Sequence, residues 1–297
     1  MTEVASGINE SGLSRRILYN GEIIRFNHPS LAELPDFFKE LLSEHPLDLD
    51  IFDSALNKIY LENLNTIRKR VLESPLIRSR LLDLLQTKGW NLNNLFADQV
   101  RFRCIPADFQ DHSGARGLLC WHRDTYYANP CCQINLWIPL DFCDRSNGIV
   151  FFPDLLNHPV ENDSHTFDLN QWNHHGGFQA FRGNDSAVAG TGLNYPSALI
   201  QPDLEEALIP EIGPGEALIF ASRHLHGTMP NTSGRNRYSL ELRFCSRQDL
   251  QAADPELNID NRSRGCFAQE FRNAADGAFT PQDLCSRYEQ LTQLTDA

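Results

Sequence analysis

A histidine and an aspartate stand two positions apart in the stretch Trp121–Tyr127. The apolar run Leu118–Trp121 leads into this stretch and Ile134–Leu140 follows it, so both flanks are typical of strands. Side chains two positions apart on a strand point to the same face of a sheet. We therefore expect the imidazole of His122 and the carboxylate of Asp124 to lie close together on one face. Two ligands of one metal ion must be placed in this way.

A third ligand is expected farther along the chain. His226 follows the apolar run Ala217–Ala221 and precedes another strand-like segment. Two histidines and one carboxylate form the facial set that holds non-haem Fe(II) and leaves positions open for other ligands. The pair alone is weak evidence, because about one His-x-acid pair arises by chance in a chain of this composition. Its place between two strands gives the pair its weight.

An arginine and a serine follow the distal histidine. Arg237 opens the run Arg237–Phe244, and Ser239 stands on the same face of that strand. A guanidinium binds a carboxylate through two parallel hydrogen bonds, and a hydroxyl adds a further donor. This pair therefore indicates a clamp for a dicarboxylate.

With these four anchor residues, the chain resembles the phytanoyl-CoA dioxygenase-like branch of the Fe(II)/2-oxoglutarate-dependent oxygenases, over roughly residues 98–246. That family has His-x-Asp, then a distal histidine, then an arginine about eleven positions later. The interval to Arg237 selects His226 and not His224. The stretch from His122 to Leu140 also resembles, more faintly, oxygenases of antibiotic gene clusters, including a streptomycin-pathway group.

The resemblance implies a fold and a set of cofactors. The fold is an all-β core with helices (α+β), a double-stranded β-helix of the jelly-roll or cupin-like type packed against N-terminal helices. Fe(II) is expected on the catalytic residues His122, Asp124 and His226, with 2-oxoglutarate held by Arg237 and Ser239 and with O₂ as the oxidant. Because related halogenases have a small residue in place of the aspartate, its presence favours hydroxylation. Desaturation, ring closure and epimerisation stay open.

The chain divides into three parts that we expect to form one domain. Residues 1–97 are predicted to be an N-terminal helical support, and residues 98–246 the jelly-roll core. Residues 154–207 are too long for a jelly-roll connection, which predicts a lid inserted over the site. Residues 247–297 are predicted to be a C-terminal extension.

Hydrophobic periodicity predicts helices before the core. An apolar stripe over Ile51–Leu72 is expected to pack on the core, with a partner-binding role as the alternative. The next helix should begin with Ser74 as N-cap and Pro75 in its first turn, and end near Gly89. Strands are expected around residues 118–124, 133–140, 148–153, 208–212, 216–223 and 238–246.

Further polar and aromatic residues are candidates for the site. Asn135 and Gln133 could contact 2-oxoglutarate or substrate, and a plain solvent-side position is an equal alternative. The candidates for substrate contact, each with packing or ion pairing as its alternative, are Tyr126, Tyr127, Arg103, Trp172, His174 and Tyr195.

Composition excludes some partners. The net charge of −13 argues against nucleic acids and anionic membranes, and it weakly favours a polar, neutral or cationic small-molecule substrate. The eight cysteines include no Cys-x-x-Cys pair, so we do not expect a zinc site. Because the N-terminal stretch has no apolar run typical of a secretory segment, we expect reduced, mostly buried thiols in a cytoplasmic protein. A homo-oligomer is left open.

The function expected from this pattern is a Fe(II)- and 2-oxoglutarate-dependent dioxygenase. It would hydroxylate an unactivated carbon of a small polar metabolite in secondary-metabolite biosynthesis, with an amino acid or osmolyte of primary metabolism as the second choice. The alternatives are a cupin-type metal enzyme without 2-oxoglutarate, a non-catalytic metabolite-binding jelly-roll, and a fold in which both histidines are structural. Arg237 with Ser239 argues against the first alternative, and the complete triad argues against the second.

Overall fold

Antiparallel strands form two sheets in the computed structural model, which describes residues 10–112, 119–176 and 195–293. The larger sheet has seven strands in the order β1-β6-β4-β8-β2-β9, with β3 also paired to β8, and the smaller sheet pairs β5 with β7. The strands are β1 (Ile24–Asn27), β2 (Leu95–Ala97), β3 (Arg101–Ile105), β4 (Ile134–Pro139), β5 (Ile149–Phe151), β6 (Glu216–Ala221), β7 (His226–Thr228), β8 (Arg237–Ser246) and β9 (Arg272–Asn273).

The two sheets face each other. Phe151 on β5 packs edge-on against Phe220 on β6, with ring centroids 4.8 Å apart. Single bridges from His122 to His226 and from Leu208 to Phe151 widen the smaller sheet. The predicted jelly-roll core with helices is confirmed, and the space between the sheets is where the site residues meet.

Helices cover the outer face of the larger sheet. Trp90 lies edge-on to Phe244 of β8, and Phe38 stacks on Phe102 of β3. The apolar row of β8 thus packs outward against the N-terminal helices, which leaves its polar row on the inner face. The helices are α1 (Glu10–Ser14), α2 (Pro29–Ala32), α3 (Leu34–Glu44), α4 (Ser54–Leu72), α5 (Pro75–Thr87), α6 (Leu169–His174), α7 (Arg247–Ala252) and α8 (Gln282–Thr292).

Local signals set the start of α5. The side chain of Ser74 accepts a hydrogen bond from the backbone N–H of Ile77, and Pro75 occupies the first helical position. The cap satisfies one of the N–H groups that the first turn leaves unpaired. Both features were predicted from the sequence.

The apolar stripe of α4 is only partly buried. Tyr60, Leu64, Ile67 and Val71 face the core, whereas Ile59 is 46% exposed. At about 100° per residue the four buried positions span a narrow arc, and Ile59 falls outside it. Phe52 and Leu56, 53% and 36% exposed, also face away from the core. The prediction that the whole stripe packs inward was wrong for its N-terminal part.

The predicted strand over residues 118–124 is reduced to the bridge at His122. Asp124 begins a short 3₁₀ turn that ends at Tyr127. The backbone of Arg123 between the two ligands is nevertheless extended, with φ −102° and ψ 139°. His122 and Asp124 therefore converge as two positions on a strand would. Residues 208–212 likewise pair only through isolated bridges, at Leu208 and Ile212.

Arg123 is buried and pins distant segments to this turn. Its Nε donates to Asp260 Oδ2 at 3.1 Å, and its Nη2 donates to the carbonyl oxygens of Leu155 and His158. Its Nη1 donates to the carbonyl oxygen of Arg223. The Arg123 side chain thus connects the segment of Asp124, the segment of Arg223 and the C-terminal region around Asp260.

His224 holds the segment before β1. Its side chain is fully buried, and its Nε2 lies 3.0 Å from the carbonyl oxygen of Gly21, to which it donates. Burial lowers its pKa to about 3, so it is neutral. The choice of His226 over His224 as the distal ligand agrees with this structural contact.

Seven of the eight cysteines are buried, as predicted, and Cys120 is half-buried. Within the described ranges, no helix combines the length and the apolar character needed to cross a lipid bilayer.

Gly227 lets the strand of His226 approach the chain of His122 closely. A Cβ at this position would lie 2.5 Å from Trp121 Cε3 and 2.9 Å from the backbone oxygen of Cys120. We expect Gly227→Ala to lower the free energy of unfolding by about 1–3 kcal/mol, because this contact cannot relax without moving backbone. Urea denaturation measures the loss.

Gly213→Ala is the matched control for this prediction. Its Cβ would meet Phe142 at an ordinary 3.6 Å, so its effect should stay below about 1 kcal/mol. Equal stabilities of the two variants would contradict a tight approach at Gly227.

Candidate metal centre

His122 and His226 face each other across a two-residue backbone bridge. Each donates its N–H to the carbonyl oxygen of the other at 2.9 Å, and the imidazole centroids are 4.5 Å apart. Asp124 Oδ1 lies 3.8 Å from His122 Nε2. The three side chains offer one ligand atom each within 4.8 Å of one another. The structure brings the predicted triad together.

Backbone carbonyls fix the tautomer of both histidines. His122 Nδ1 lies 3.2 Å from the carbonyl oxygen of Cys120, and His226 Nδ1 lies 2.9 Å from that of His224. A carbonyl oxygen only accepts, so Nδ1 carries a proton, and in the neutral imidazole this leaves the lone pair on Nε2. Histidines that bind metals in proteins are oriented by this kind of hydrogen bond.

The charges of the triad suit a divalent cation. Burial, reinforced by the neighbouring His226, lowers the pKa of His122 to about 3, so this imidazole is neutral. Burial alone would raise the pKa of Asp124, but Arg243 and the two histidines hold it below its usual range. A neutral imidazole beside an ionised carboxylate, with a second histidine, is a donor set that fits Fe(II).

A chain of polar contacts orients Asp124. Asn135 Nδ2 donates to Asp124 Oδ2 at 2.5 Å, and Gln133 Nε2 donates to Asn135 Oδ1 at 2.9 Å. Arg243 Nη2 lies 3.5 Å from Asp124 Oδ1. The predicted contact of Asn135 and Gln133 with 2-oxoglutarate or substrate stays a prediction, while Asn135 is observed to contact the ligand Asp124 and Gln133 to contact Asn135.

Arg243 was missed as a site residue. Strand alternation places it on the same face as Arg237 and Ser239, which was the signal for it. Nothing in the sequence showed that this face passes beside Asp124.

Arg237 and Ser239 lie buried on the inner face of β8. Arg237 Nη1 donates to the carbonyl oxygen of Asn147 at 3.1 Å, and its guanidinium lies over the ring of Trp137. Across the described ranges, Arg237 Nε and Ser239 Oγ have no hydrogen-bond partner, and no carboxylate pairs with Arg237. Burial lowers the pKa of Arg237. A buried, unpaired guanidinium beside an unpaired hydroxyl fits the carboxylate of a bound anion.

Aromatic residues line one side of the triad. The Tyr127 ring lies 5.5 Å from His122 and 4.2 Å from Tyr195, and Tyr195 also contacts Trp172. Of the predicted substrate residues, Tyr127 therefore contacts the triad directly, whereas Tyr195 and Trp172 are connected to it through Tyr127. Arg103 is also on the inner face, where its Nε pairs with Glu241.

Two other substrate candidates are not brought to the triad. The Tyr126 hydroxyl donates to Asp260 Oδ2 at 3.2 Å, so this side chain belongs to the buried network around Arg123. His174 is exposed at the end of α6 and contacts the ring of His175. Residues 177–194 of the predicted lid lie outside the described residues.

Several solved structures are similar to this one. The structure is similar to EvdO2 from Micromonospora carbonacea var. aurantiaca complexed with 2-oxoglutarate, with a TM-score of 0.49, 14% identity, and coverage of 82% of this chain and 94% of that chain. It is also similar to EctD from S. alaskensis with bound Fe, with a TM-score of 0.39, 12% identity, and coverage of 82% and 80%.

A third similar structure is the non-heme alpha-ketoglutarate-dependent epimerase SnoN from nogalamycin biosynthesis, with a TM-score of 0.36, 12% identity, and coverage of 80% of this chain and 84% of that chain. At these identities the likeness does not extend to the roles of individual residues. No curated protein sequence matches the chain.

The family model of phytanoyl-CoA dioxygenase (PhyH) matches residues 96–239, and His122, Asp124, His226 and Arg237 all lie within the match. The resemblance predicted from these four anchors is thereby confirmed: residues 96–239 have the sequence pattern of the phytanoyl-CoA dioxygenase family, on a jelly-roll core with a His-Asp-His site.

Proposed function

We propose that the protein is a Fe(II)- and 2-oxoglutarate-dependent dioxygenase that hydroxylates an unactivated carbon of a small polar metabolite, in secondary-metabolite biosynthesis. The observation that carries this proposal is the buried guanidinium of Arg237, which lies on the inner face that also meets the triad and has no carboxylate partner among the described residues. A cupin-type enzyme that uses a metal alone has no need of such a group. An unpaired buried charge is costly unless a ligand pairs with it.

The residues of the site have separable roles in this proposal. His122, Asp124 and His226 would hold Fe(II), and Arg237 with Ser239 would hold the distal carboxylate of 2-oxoglutarate. Fe(II) and 2-oxoglutarate together supply the oxidising chemistry that places an oxygen atom from O₂ into a C–H bond.

The protein holds the metal ligands in position and excludes water from part of the site. Asn135 and Arg243 engage the two oxygens of Asp124, so the carboxylate cannot rotate freely. The rings of Phe151 and Phe220 pack around His226 and exclude water from one side of the centre. A fixed donor set in a water-poor site is what an enzyme needs to keep a reactive oxidant on its substrate.

Asp124→Ala tests the metal centre. Removing the one carboxylate of the triad should lower Fe(II) affinity and 2-oxoglutarate turnover by more than about 100-fold, because even residues that only orient a ligand cost 10–100-fold. Anaerobic Fe(II) titration and succinate formation are the measurements, with circular dichroism to check folding. Asp83→Ala, at an exposed position of α5, is the control and should match wild type. Undiminished iron binding in Asp124→Ala would contradict the assignment.

Arg237→Gln tests the clamp. Loss of the charged fork should raise the KM for 2-oxoglutarate by about 10–100-fold, as expected for a charge-assisted pair. Fe(II) affinity should not change, because Arg237 has no contact with the triad. Arg235→Gln is the control, since that exposed arginine two positions earlier donates to the carbonyl oxygen of Phe142. An unchanged KM for 2-oxoglutarate in Arg237→Gln would show that Arg237 does not bind the cosubstrate.

A further inference from the structure

Besides Arg237, the inner face of the larger sheet carries Arg101, which pairs with Asp98, and two further arginines, Arg103 and Arg243. Arg103 on β3 pairs across the strands with Ser239, and Arg243 on β8 pairs with Asn135. Directly opposed residues of antiparallel strands share a face. Both guanidinium groups therefore point to the side on which Asn135 contacts Asp124.

These side chains reach solvent, unlike Arg237. The side chain of Arg103 is 34% exposed and that of Glu241 is 20% exposed, while Arg243 keeps 10% and His122 keeps 20%. The exposure decreases from Arg103 toward Asp124. We interpret this decrease as a path from solvent to the metal centre. Arg103, Glu241 and Arg243 form one wall of this path.

The charges along this wall do not balance. Glu241 accepts from Arg103 Nε at 3.0 Å, and both Arg103 and Arg243 act to lower the pKa of Glu241 against the raising effect of burial. Arg243 also contacts Asp124, whose charge is taken up by the metal in the proposed function. Among the residues of this wall that the structure describes, Arg103 and Arg243 then share one remaining carboxylate, that of Glu241, which leaves a positive excess beside the centre.

Arg103 has donors to spare. Its Nε is used by Glu241, whereas its two Nη groups donate to no acceptor in the part of the chain that the structure describes. Glu241 holds the Arg103 guanidinium in place and leaves its two Nη groups available to a molecule on the path to the metal. Such a fixed guanidinium edge matches the planar geometry of a carboxylate.

An aromatic surface connects the arginines to the metal ligands. Tyr195 is close enough to Arg103 and Arg243 for both to act on its pKa in the lowering direction, although burial raises it overall. Its ring lies 4.2 Å from that of Tyr127, which in turn lies 5.5 Å from His122. Tyr127 is buried and Tyr195 is partly exposed, so a molecule held by the arginines could rest on Tyr195 with its far end toward the metal.

We infer that Arg103 and Arg243 bind a carboxylate of the substrate, and that Tyr195 packs against its apolar or aromatic body. The inference rests on the proposed function, because that function commits Asp124 to the metal and Arg237 to the cosubstrate. It also replaces the preference for a cationic substrate that the net charge suggested: a substrate that is anionic, or neutral as a zwitterion, fits the wall.

The test uses benzoate and benzamide as matched probes, since they share a ring and a planar head group and differ in charge. They are titrated calorimetrically into wild-type protein loaded anaerobically with Fe(II) and saturating 2-oxoglutarate. Benzoate should bind at least about tenfold more tightly than benzamide, as expected for a charge-assisted pair. Equal affinities would overturn the inference.

Variants locate the effect. Arg103→Gln should remove the preference for benzoate and leave benzamide affinity unchanged, which a general structural defect would not do. Arg103→Lys keeps a charge beside Glu241 but loses the planar guanidinium, so it should retain part of the preference for benzoate. This variant also provides the test if Arg103→Gln does not fold. Arg101→Gln is the control on the same strand, because Arg101 pairs with Asp98 at 2.7 Å. A full preference in Arg103→Gln and Arg103→Lys would overturn the inference.

The role of the cosubstrate is separated by titrating 2-oxoglutarate itself. If saturating 2-oxoglutarate abolishes benzoate binding, the two arginines hold the cosubstrate and the inference is wrong. If 2-oxoglutarate fails to bind while the Arg103-dependent preference for benzoate persists, the proposed function fails and the carboxylate site stands. Binding of both, with separate dependence on Arg237 and Arg103, supports both assignments.

Discussion

The site depends on two backbone hydrogen bonds between His122 and His226, each 2.9 Å long. They place two imidazoles from segments about a hundred positions apart in sequence on facing chains, before any metal is considered. Gly227 makes this approach sterically feasible, because a Cβ there would meet Trp121. Arg123, extended between the two ligands of the first segment, brings Asp124 to the same point and ties it to Asp260. Backbone geometry thus fixes the triad, and the side-chain contacts refine it.

The larger sheet separates its two faces by chemistry. Its outer face is apolar and packs on the helices, while its inner face carries arginines and carboxylates that are expensive to bury. Arg101 pairs with Asp98, Arg103 with Glu241, and Arg243 with Asp124. Among the described inner-face arginines of β3 and β8, Arg237 lacks such a carboxylate. The exception is the arginine that the proposed function assigns to 2-oxoglutarate, and pairing with a carboxylate of that ligand would offset the cost of burying the charge.

The sequence was sufficient where the signal is local or periodic. The cap at Ser74, the shared face of Arg237 and Ser239, and the convergence of His122 with Asp124 all follow from spacing, and all were predicted. Long-range contacts were not predictable in this way. The turn at Asp124, the ties from Arg123 to Asp260, and the contact of Asn135 with Asp124 depend on which segments meet in three dimensions. The exposure of Ile59 has the same origin, since periodicity defines a stripe but not how much of it the core covers.

The net charge of the chain and the charges beside the metal centre lead to different expectations for the charge of the substrate. The distance of each charge from the bound substrate decides which expectation applies. The −13 of the whole chain is spread over the molecule, and solvent screens exposed charges beyond about 10 Å at moderate ionic strength. Charges inside the approach to the metal are screened much less and act on any molecule that enters it. There the guanidinium groups of Arg103 and Arg243 outnumber the carboxylate of Glu241 once Asp124 is engaged by a metal. The acidic surface therefore says little about specificity, and the positively charged wall beside His122 is the better guide to the chemistry of the substrate.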